Sequence, residues 1–462
     1  MIDPRAVVAK IWADCGHDPD ALNDLDLTGK EPVLPSSFAV STAVQASIAA
    51  SALAAAEIWR ARTARRQRVG VDIRAAAAAA RSERYLMIGG QEQGDRWDKI
   101  AGTYQCGDGR YVRLHTNFPH HRDGVLKILG CACDRAAVTE ALQSWKAFDV
   151  EDAAARDDLA VTAMRTFAEW DSHPQGRAVA ALPLLSIEKI GDAPAPSWPD
   201  GARPLSGVRV LDLTRVIAGP VGGMTLAAHG ADVMLVTAPH LPSIPTLVVD
   251  TGRGKLSTSL DLRQAGDRDK FVALLRQADV ILQGYRPGGL TALGFGAHEA
   301  AILRPGLIYV SLCAYSHEGP WASRHGFDSL VQTASGFNAA EAAAAGVTGP
   351  KPLPAQALDH CTGYFLAYAI MTALLRRACE GGSWHVRCSL AQTAHWLRSL
   401  GRIDGLHVKD PAREDFNDCF ETSDSGFGPL SAVRNAARMS ETPPRFVRPA
   451  VPLGTHAPVW PG

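Results

Sequence analysis

Three glycines behind an apolar strand are the first residues whose spacing suggests chemistry. VRVLDL (208–213) runs into TRVIAGPVGGMT (214–225), which carries Gly219, Gly222 and Gly223. A strand, a glycine loop and a helix in that order resemble a nucleotide-binding unit, where backbone N–H groups meet a phosphate. The spacing, however, is G-x-x-G-G rather than G-x-G-x-x-G, and Thr237 stands where an acidic residue would hold a ribose. NAD binding is therefore unsupported. Gly254-Lys255 is followed by Leu and lacks the earlier glycine of a phosphate loop. On the residues alone, a tight turn with close helix packing explains these glycines best. The His-rich NFPHHR (117–122) is expected on the surface, the alternative being a site for an acidic substrate.

The elements that must position such residues follow from the apolar pattern. After VRVLDL come ADVMLV, DVILQGY and LIYVSLCAY, with helix-like stretches at Pro220–His229 and Asp267–Ala278 between them. Continuous apolar strands alternating with helices predict a doubly wound parallel α/β sheet. Helices are expected again at Thr362–Glu380 and Ser389–Leu400. Upstream, Ala-rich stretches at Phe38–Arg68 and Ile73–Tyr85 favour helix. GGQEQG (89–94) marks a loop, and IAGTYQCGDGRYVRLHT predicts a hairpin turning at Gly107-Asp108-Gly109. Trp145 and Trp170 are expected core aromatics of the helical material that follows. These expectations divide the chain into a helical segment (1–90), a smaller α+β domain (91–190), a Pro-rich linker (191–204), a main domain (205–400) and an extended return (401–462).

Composition removes whole classes of function. The chain has 462 residues, with 47 Lys+Arg against 48 Asp+Glu. A near-neutral balance offers no general grip on nucleic acid. The most apolar run, Thr42–Trp59, is mostly Ala and Ser and contains Gln45 and Glu57, so no membrane span is expected. No export signal is visible at MIDPRAVVAKIWADCG, and nine Cys occur as singles in odd number. Reduced thiols in the cytoplasm, with no metal site, are the expectation.

An internal comparison adds a detail. LLRRACEGGSWHVRCSLAQTAHW (374–396) aligns without gaps to EIWRARTARRQRVGVDIRAAAAA (57–79). Both show an Ala-rich helix, a basic turn and V-x-x-x-[LI] entering another helix, so the N-terminal segment is a candidate decayed copy.

Residues 205–400 resemble the class III CoA-transferases, the family of formyl-CoA and carnitine CoA-transferases, with α-methylacyl-CoA racemases as relatives. The resemblance rests on GVRVLDLTRVIAGP (207–220), HGADVMLV (229–236), GRGKLSTSLDL (252–262), ADVILQGYRPGGLTALGF (278–295), RPGLIYVSLCAY (304–315), GPW (319–321), GFDSLVQTASG (326–336) and ALDHCTGYFLAYAIMTALL (357–375), in the family's order. GTYQCGDGRYVRLHTNF resembles the family's small domain but lies upstream, while PLGTH (452–456) resembles its closing segment.

The resemblance implies a Rossmann-like CoA-binding domain and an aspartate nucleophile in D-x-x-x-G, which is Asp359 before Gly363. Taken alone, Asp359 is better explained as a helix N-cap, and within the matched segment as the nucleophile. Implied CoA contacts are Val216, Ile217 and Ala218 in the first loop, with Leu260, Arg263, Tyr285, Leu293 and Tyr315. Arg263 would otherwise be a solvated charge, and the two tyrosines core aromatics. Thr237-Ala238, Gly284 and Ala292 depart from the family's usual contacts, with Arg286 or Arg253 as substitutes. Thr42 stands where the N-terminal copy would need the nucleophile.

The implied reaction moves CoA from an acyl-CoA to a carboxylic acid through an aspartyl anhydride and an aspartyl-CoA thioester. No permanently bound cofactor is implied, CoA arriving with the substrate, and the partner would be a second copy in a homodimer. A racemase needs a histidine where Phe327 stands, so His325, His360 or a small-domain histidine would have to replace it. A non-catalytic acyl-CoA-binding homologue is the other alternative.

Overall fold

The structure, a computed structural model, describes residues 2–94 and 97–461. Its centre is a seven-stranded sheet. Across it run Leu256–Ser259, Asp232–Thr237, Arg209–Leu213, Val280–Gln283, Ile308–Cys313, Ser383–Ser389 and Ser186–Gly191. The first six are parallel and the last is antiparallel. In chain order the parallel strands read 3-2-1-4-5-6, the doubly wound order whose ligand crevice opens where the winding reverses. That point lies between Arg209–Leu213 and Val280–Gln283, at the loop after Leu213.

The central strands Arg209–Leu213, Val280–Gln283 and Ile308–Cys313 are mostly apolar because helices cover both faces. Val210, Val280, Leu282, Ile308 and Val310 join the larger core, which includes the helices Ala218–Ala228 and Ala357–Glu380. Leu211, Met234, Ile281 and Tyr309 point to the opposite face, against Phe271 and Leu274 of the helix Ala265–Leu275.

The small domain is a three-stranded antiparallel sheet of Gly102–Gln105, Tyr111–Leu114 and Val161–Ala163, packed on the helices Pro119–Leu129, Arg135–Leu142 and Ala147–Arg156. Its hairpin turns at the anticipated glycines. The buried Tyr315 hydroxyl lies 2.9 Å from Thr162 Oγ1, joining this domain to the main one.

The N-terminal segment is not wholly helical. Leu25–Thr28 and Val69–Asp72 form parallel strands flanking the long helix Val40–Thr63. The C-terminal segment is likewise more than an extended return, since Phe420–Ser423, Leu430–Val433 and Ala437–Met439 are strands. No helix among the described residues is long and apolar enough to cross a membrane.

Candidate active site

The loop after Leu213 is held in a strained form from below. Asp212, fully buried, accepts from Thr214 N at 3.0 Å and receives the Lys255 ammonium at 2.8 Å. Lys255, also buried, donates to Pro220 O at 2.8 Å in the first turn of Ala218–Ala228. A Cβ on Gly223 would lie 2.3 Å from Asp212 Oδ2 and 3.0 Å from Lys255 Nζ. Close packing around this buried ion pair is therefore what that glycine serves. Above the pair, Val216 has φ +73°, a left-handed conformation that a β-branched residue rarely adopts. Such strain persists only where surrounding structure enforces it, often at functional sites.

The catalytic-candidate helix meets this loop. Gly363 lets the helix Ala357–Glu380 touch Ala218–Ala228, for a Cβ there would stand 2.6 Å from Ala218 O. One turn earlier, Asp359 sits in the helix's first turn, while the N-cap position belongs to Gln356. The N–H groups of Leu358 and Asp359 donate to Asp328 Oδ2 at 2.8 and 3.0 Å. Asp328 thus does the capping, with Gln332 as a further donor to its other oxygen. No hydrogen bond from the described residues reaches the Asp359 carboxylate, so it is not spent on holding the helix.

That carboxylate stands between two cavities. One, of about 300 Å³, is lined by Phe118, His120, Arg215, Tyr285, Arg286 and His325, among others. The second, of about 320 Å³, is lined by Glu83, Arg84, Trp97, His115, Asn117 and Leu247, among others. Asp359, Val216, Ile217 and Phe327 line both. Burial pushes the Asp359 carboxyl well above the usual range, and the nearby carboxylates of Asp328 and Glu83 push it further. Glu83 is itself buried, which would raise it, yet the hydrogen bond and charge of His360, 3.2 Å away, hold it below its ordinary value. The histidines lining the cavities are neutral near pH 7: burial lowers His115 and His121 to about 3 and His325 to about 4.

A pH dependence follows. Ionised Asp359 is lost as pH falls through its raised pKa, and Glu83→Gln removes one of the negative neighbours that raise it. Any activity needing the carboxylate should have its acid limb moved to lower pH in Glu83→Gln. A pH–rate profile checks this; an unmoved limb would show that Glu83 does not act on Asp359.

Of the residues singled out in the sequence, Val216, Ile217, Ala218, Tyr285 and Asp359 converge on the first cavity. The others lie elsewhere. Arg263 is largely exposed and paired with Asp261 at 2.7 Å. Leu260 is buried in the core behind the sheet, Leu293 packs half-buried against that core, and Tyr315 is buried against Thr162. Of the two proposed substitutes, Arg286 lines the cavity, whereas Arg253 is buried against Asp250. NFPHHR is not merely surface: Asn117, Phe118, His120 and His121 all line the cavities. Gly89–Gly94 lines neither; the wall comes from Glu83, Arg84 and Trp97 on either side of it. Nothing in local pattern marked Glu83, Arg84, Trp97 or His115. Arg215, inside TRVIAGP, was within reach of the motif.

Residues 205–414 match the sequence profile of CoA-transferase family III. This part of the chain is a CoA-transferase family III segment. Similarity to two curated transferases extends further along the chain. The acetyl-coenzyme A transferase nodX of Hypoxylon pulicicidum is 32% identical over 66% of this chain and 55% of its own length. An acyl-CoA transferase of Gibberella moniliformis is 33% identical over 68% of this chain and 58% of its own. The acetyl-CoA:oxalate CoA-transferase of Acetobacter aceti is 34% identical over 42% and 52%. A solved CAIB/BAIF family protein from Brucella suis is 27% identical, covering 50% of this chain and 65% of that one, with a TM-score of 0.38. The chain spans about half the length of the curated relatives it matches.

Proposed function

We propose that the protein transfers CoA from an acyl-CoA to a carboxylic acid, with Asp359 as the nucleophile. The observation that carries this reading is a carboxylate without hydrogen-bond partners among the described residues, placed where two cavities meet. The family III match supports the reaction class.

The ionised Asp359 oxygen attacks the thioester carbonyl, forming a mixed anhydride as the CoA thiolate leaves. The thiolate then attacks the aspartyl carbonyl, giving an aspartyl-CoA thioester and releasing the first acid as its carboxylate. The acceptor carboxylate attacks that thioester and expels the thiolate again. The thiolate finally attacks the acceptor's carbonyl in the new anhydride, yielding the new acyl-CoA and restoring Asp359. Covalent capture divides one difficult transfer into easier steps. Burial makes the carboxylate poorly solvated and therefore a better nucleophile than its exposed counterpart.

The cavities divide the substrate between them. We assign CoA to the first, where Arg215 and Arg286 supply positive charge for phosphates and Tyr285 an aromatic face. The acyl group takes the second, beside Trp97, Leu247 and Phe327. CoA arrives and leaves as substrate in this scheme, and no resident cofactor takes part. The racemase alternative would use a histidine that shares a cavity with Asp359, such as His325 in the first or His115 in the second, where His115 lies flat on Phe327 with ring centroids 3.7 Å apart.

The test is a two-substrate assay with acyl-CoA donors and short carboxylic acids, following new acyl-CoA by mass spectrometry. Parallel double-reciprocal lines are expected, because the first acid leaves before the second binds. Intersecting lines would mean that the first acid stays bound until the second arrives, and no new acyl-CoA from any donor would contradict the transfer itself. Uptake of solvent deuterium at the acyl α-carbon without CoA transfer would point to racemisation, and CoA binding without either reaction to a binding protein.

A further inference from the structure

The faint repeat in the sequence has an exact spatial counterpart in element boundaries. The helices Val40–Thr63 and Ala357–Glu380 have 24 residues each, and both ends are 317 positions apart. Their N-cap residues share one backbone conformation, φ −76° with ψ 58° at Ala39 and 60° at Gln356. Each helix is followed by a strand and a capped helix: Val69–Asp72 with Ile73–Ala79, and Ser383–Ser389 with Leu390–Ser399. Each of these strands pairs in parallel with an earlier one, Thr28 facing Asp72 as Cys313 faces Ser389. Even the capping carboxylate recurs, since Thr42 N donates to Glu31 at 2.7 Å as Asp359 N donates to Asp328. The two long helices pack on one another.

The outer strands are exchanged. Ser186–Gly191, which follows the first set of elements and the small domain, pairs antiparallel with Ser383–Ser389 of the second set. Ala437–Met439, which follows the second set, pairs antiparallel with Val69–Asp72 of the first. Each set therefore completes the sheet of the other. The first set carries Thr42 where the second carries Asp359, and a threonine hydroxyl has no carboxylate to offer.

We infer that the chain carries one copy of the fold preceded by the C-terminal part of a second, the two interlocked, and that this inactive part and the small domain complete the Asp359 site within the same chain. Glu83 and Arg84 follow the inactive part directly, while Trp97, His115 and Asn117 belong to the domain behind it. All five face Asp359 across the second cavity without needing another molecule. The strand exchange therefore takes place inside one chain, with one nucleophile, Asp359, for the two related parts. This inference rests on the site assigned above, but not on the chemistry proposed for it.

The test uses the ion pair that ties the two parts outside the cavities, Arg398 Nη1 to Asp171 Oδ1 at 2.6 Å. The full chain carrying Asp171→Cys and Arg398→Cys is treated with a short bismaleimide, with the parent chain and both single variants as controls for native thiols. The expected product specific to the double variant is an internally bridged chain of single-chain mass by denaturing gel and mass spectrometry. A bridged species of twice that mass would overturn the inference, for the small domain would then serve a neighbouring chain. Absence of any bridge in protein shown folded by circular dichroism would overturn it too. Because the readout requires no turnover, it stands apart from failure of the transferase assay.

Discussion

Asp359→Asn should abolish CoA transfer while making the protein harder to unfold. The activity loss should be on the order of 10³-fold or more, the scale seen when a covalent nucleophile is removed. Asparagine keeps the shape but cannot form the anhydride. The stability gain has a separate cause. Asp359 is buried beside Asp328 and Glu83, and these surroundings raise its pKa in the folded state. A group raised on folding favours the folded state most below its unfolded value, near 4, and that contribution is lost as pH climbs through the folded value. At pH 8 the native protein therefore bears the cost of an ionised, buried, repelled carboxylate, which asparagine removes. The melting temperature of Asp359→Asn should exceed the parent's at pH 8, and the gap should shrink towards pH 4. Thermal melts across that range check it. A variant that is less stable at every pH would mean the side chain holds the helix, which Asp328 otherwise does.

Lys255→Met should have the largest effect on stability. Lys255 and Asp212 are both buried and 2.8 Å apart, so removing one charge strands the other in the interior. Breaking such a pair costs about 3–5 kcal/mol. The loss should be visible as a lower midpoint in urea. Damage to substrate binding should accompany it, because Lys255 also donates to Pro220 O beneath the loop that lines both cavities. Adding Asp212→Asn to Lys255→Met should recover much of the stability, since no bare charge then remains. A double variant no better than the single would mean that the lysine acts through packing, not charge.

The doubly wound sheet is legible in the sequence because its central strands are predominantly apolar on both faces, as in VRVLDL and LIYVSL. The loop residues Val216, Ile217, Ala218 and the helix-borne Asp359 were legible through the family's motifs. Boundaries are less so: the helix begins at Ala357 rather than Thr362, because the distant Asp328 carboxylate caps the N–H groups of Leu358 and Asp359. The other half of the site was hidden for a different reason. His115 reaches the cavity by stacking on Phe327, more than two hundred positions away, and Glu83 by pairing with His360. Local periodicity reports which face of an element is buried, not which distant loop arrives to bury it. The tail follows the same rule, since Ala437–Met439 becomes a strand only by pairing with Val69–Asp72.

The central claim is a covalent relay through one carboxylate, and trapping the intermediate tests it most directly. The protein would be incubated with a panel of acyl-CoAs, treated with hydroxylamine, and mapped by peptide mass spectrometry. Hydroxylamine attacks anhydrides and thioesters, so a hydroxamate is expected on the peptide carrying Asp359, absent without donor and absent in Asp359→Asn. New acyl-CoA formed by the intact protein with no label at Asp359, or with the label on another residue, would contradict the account.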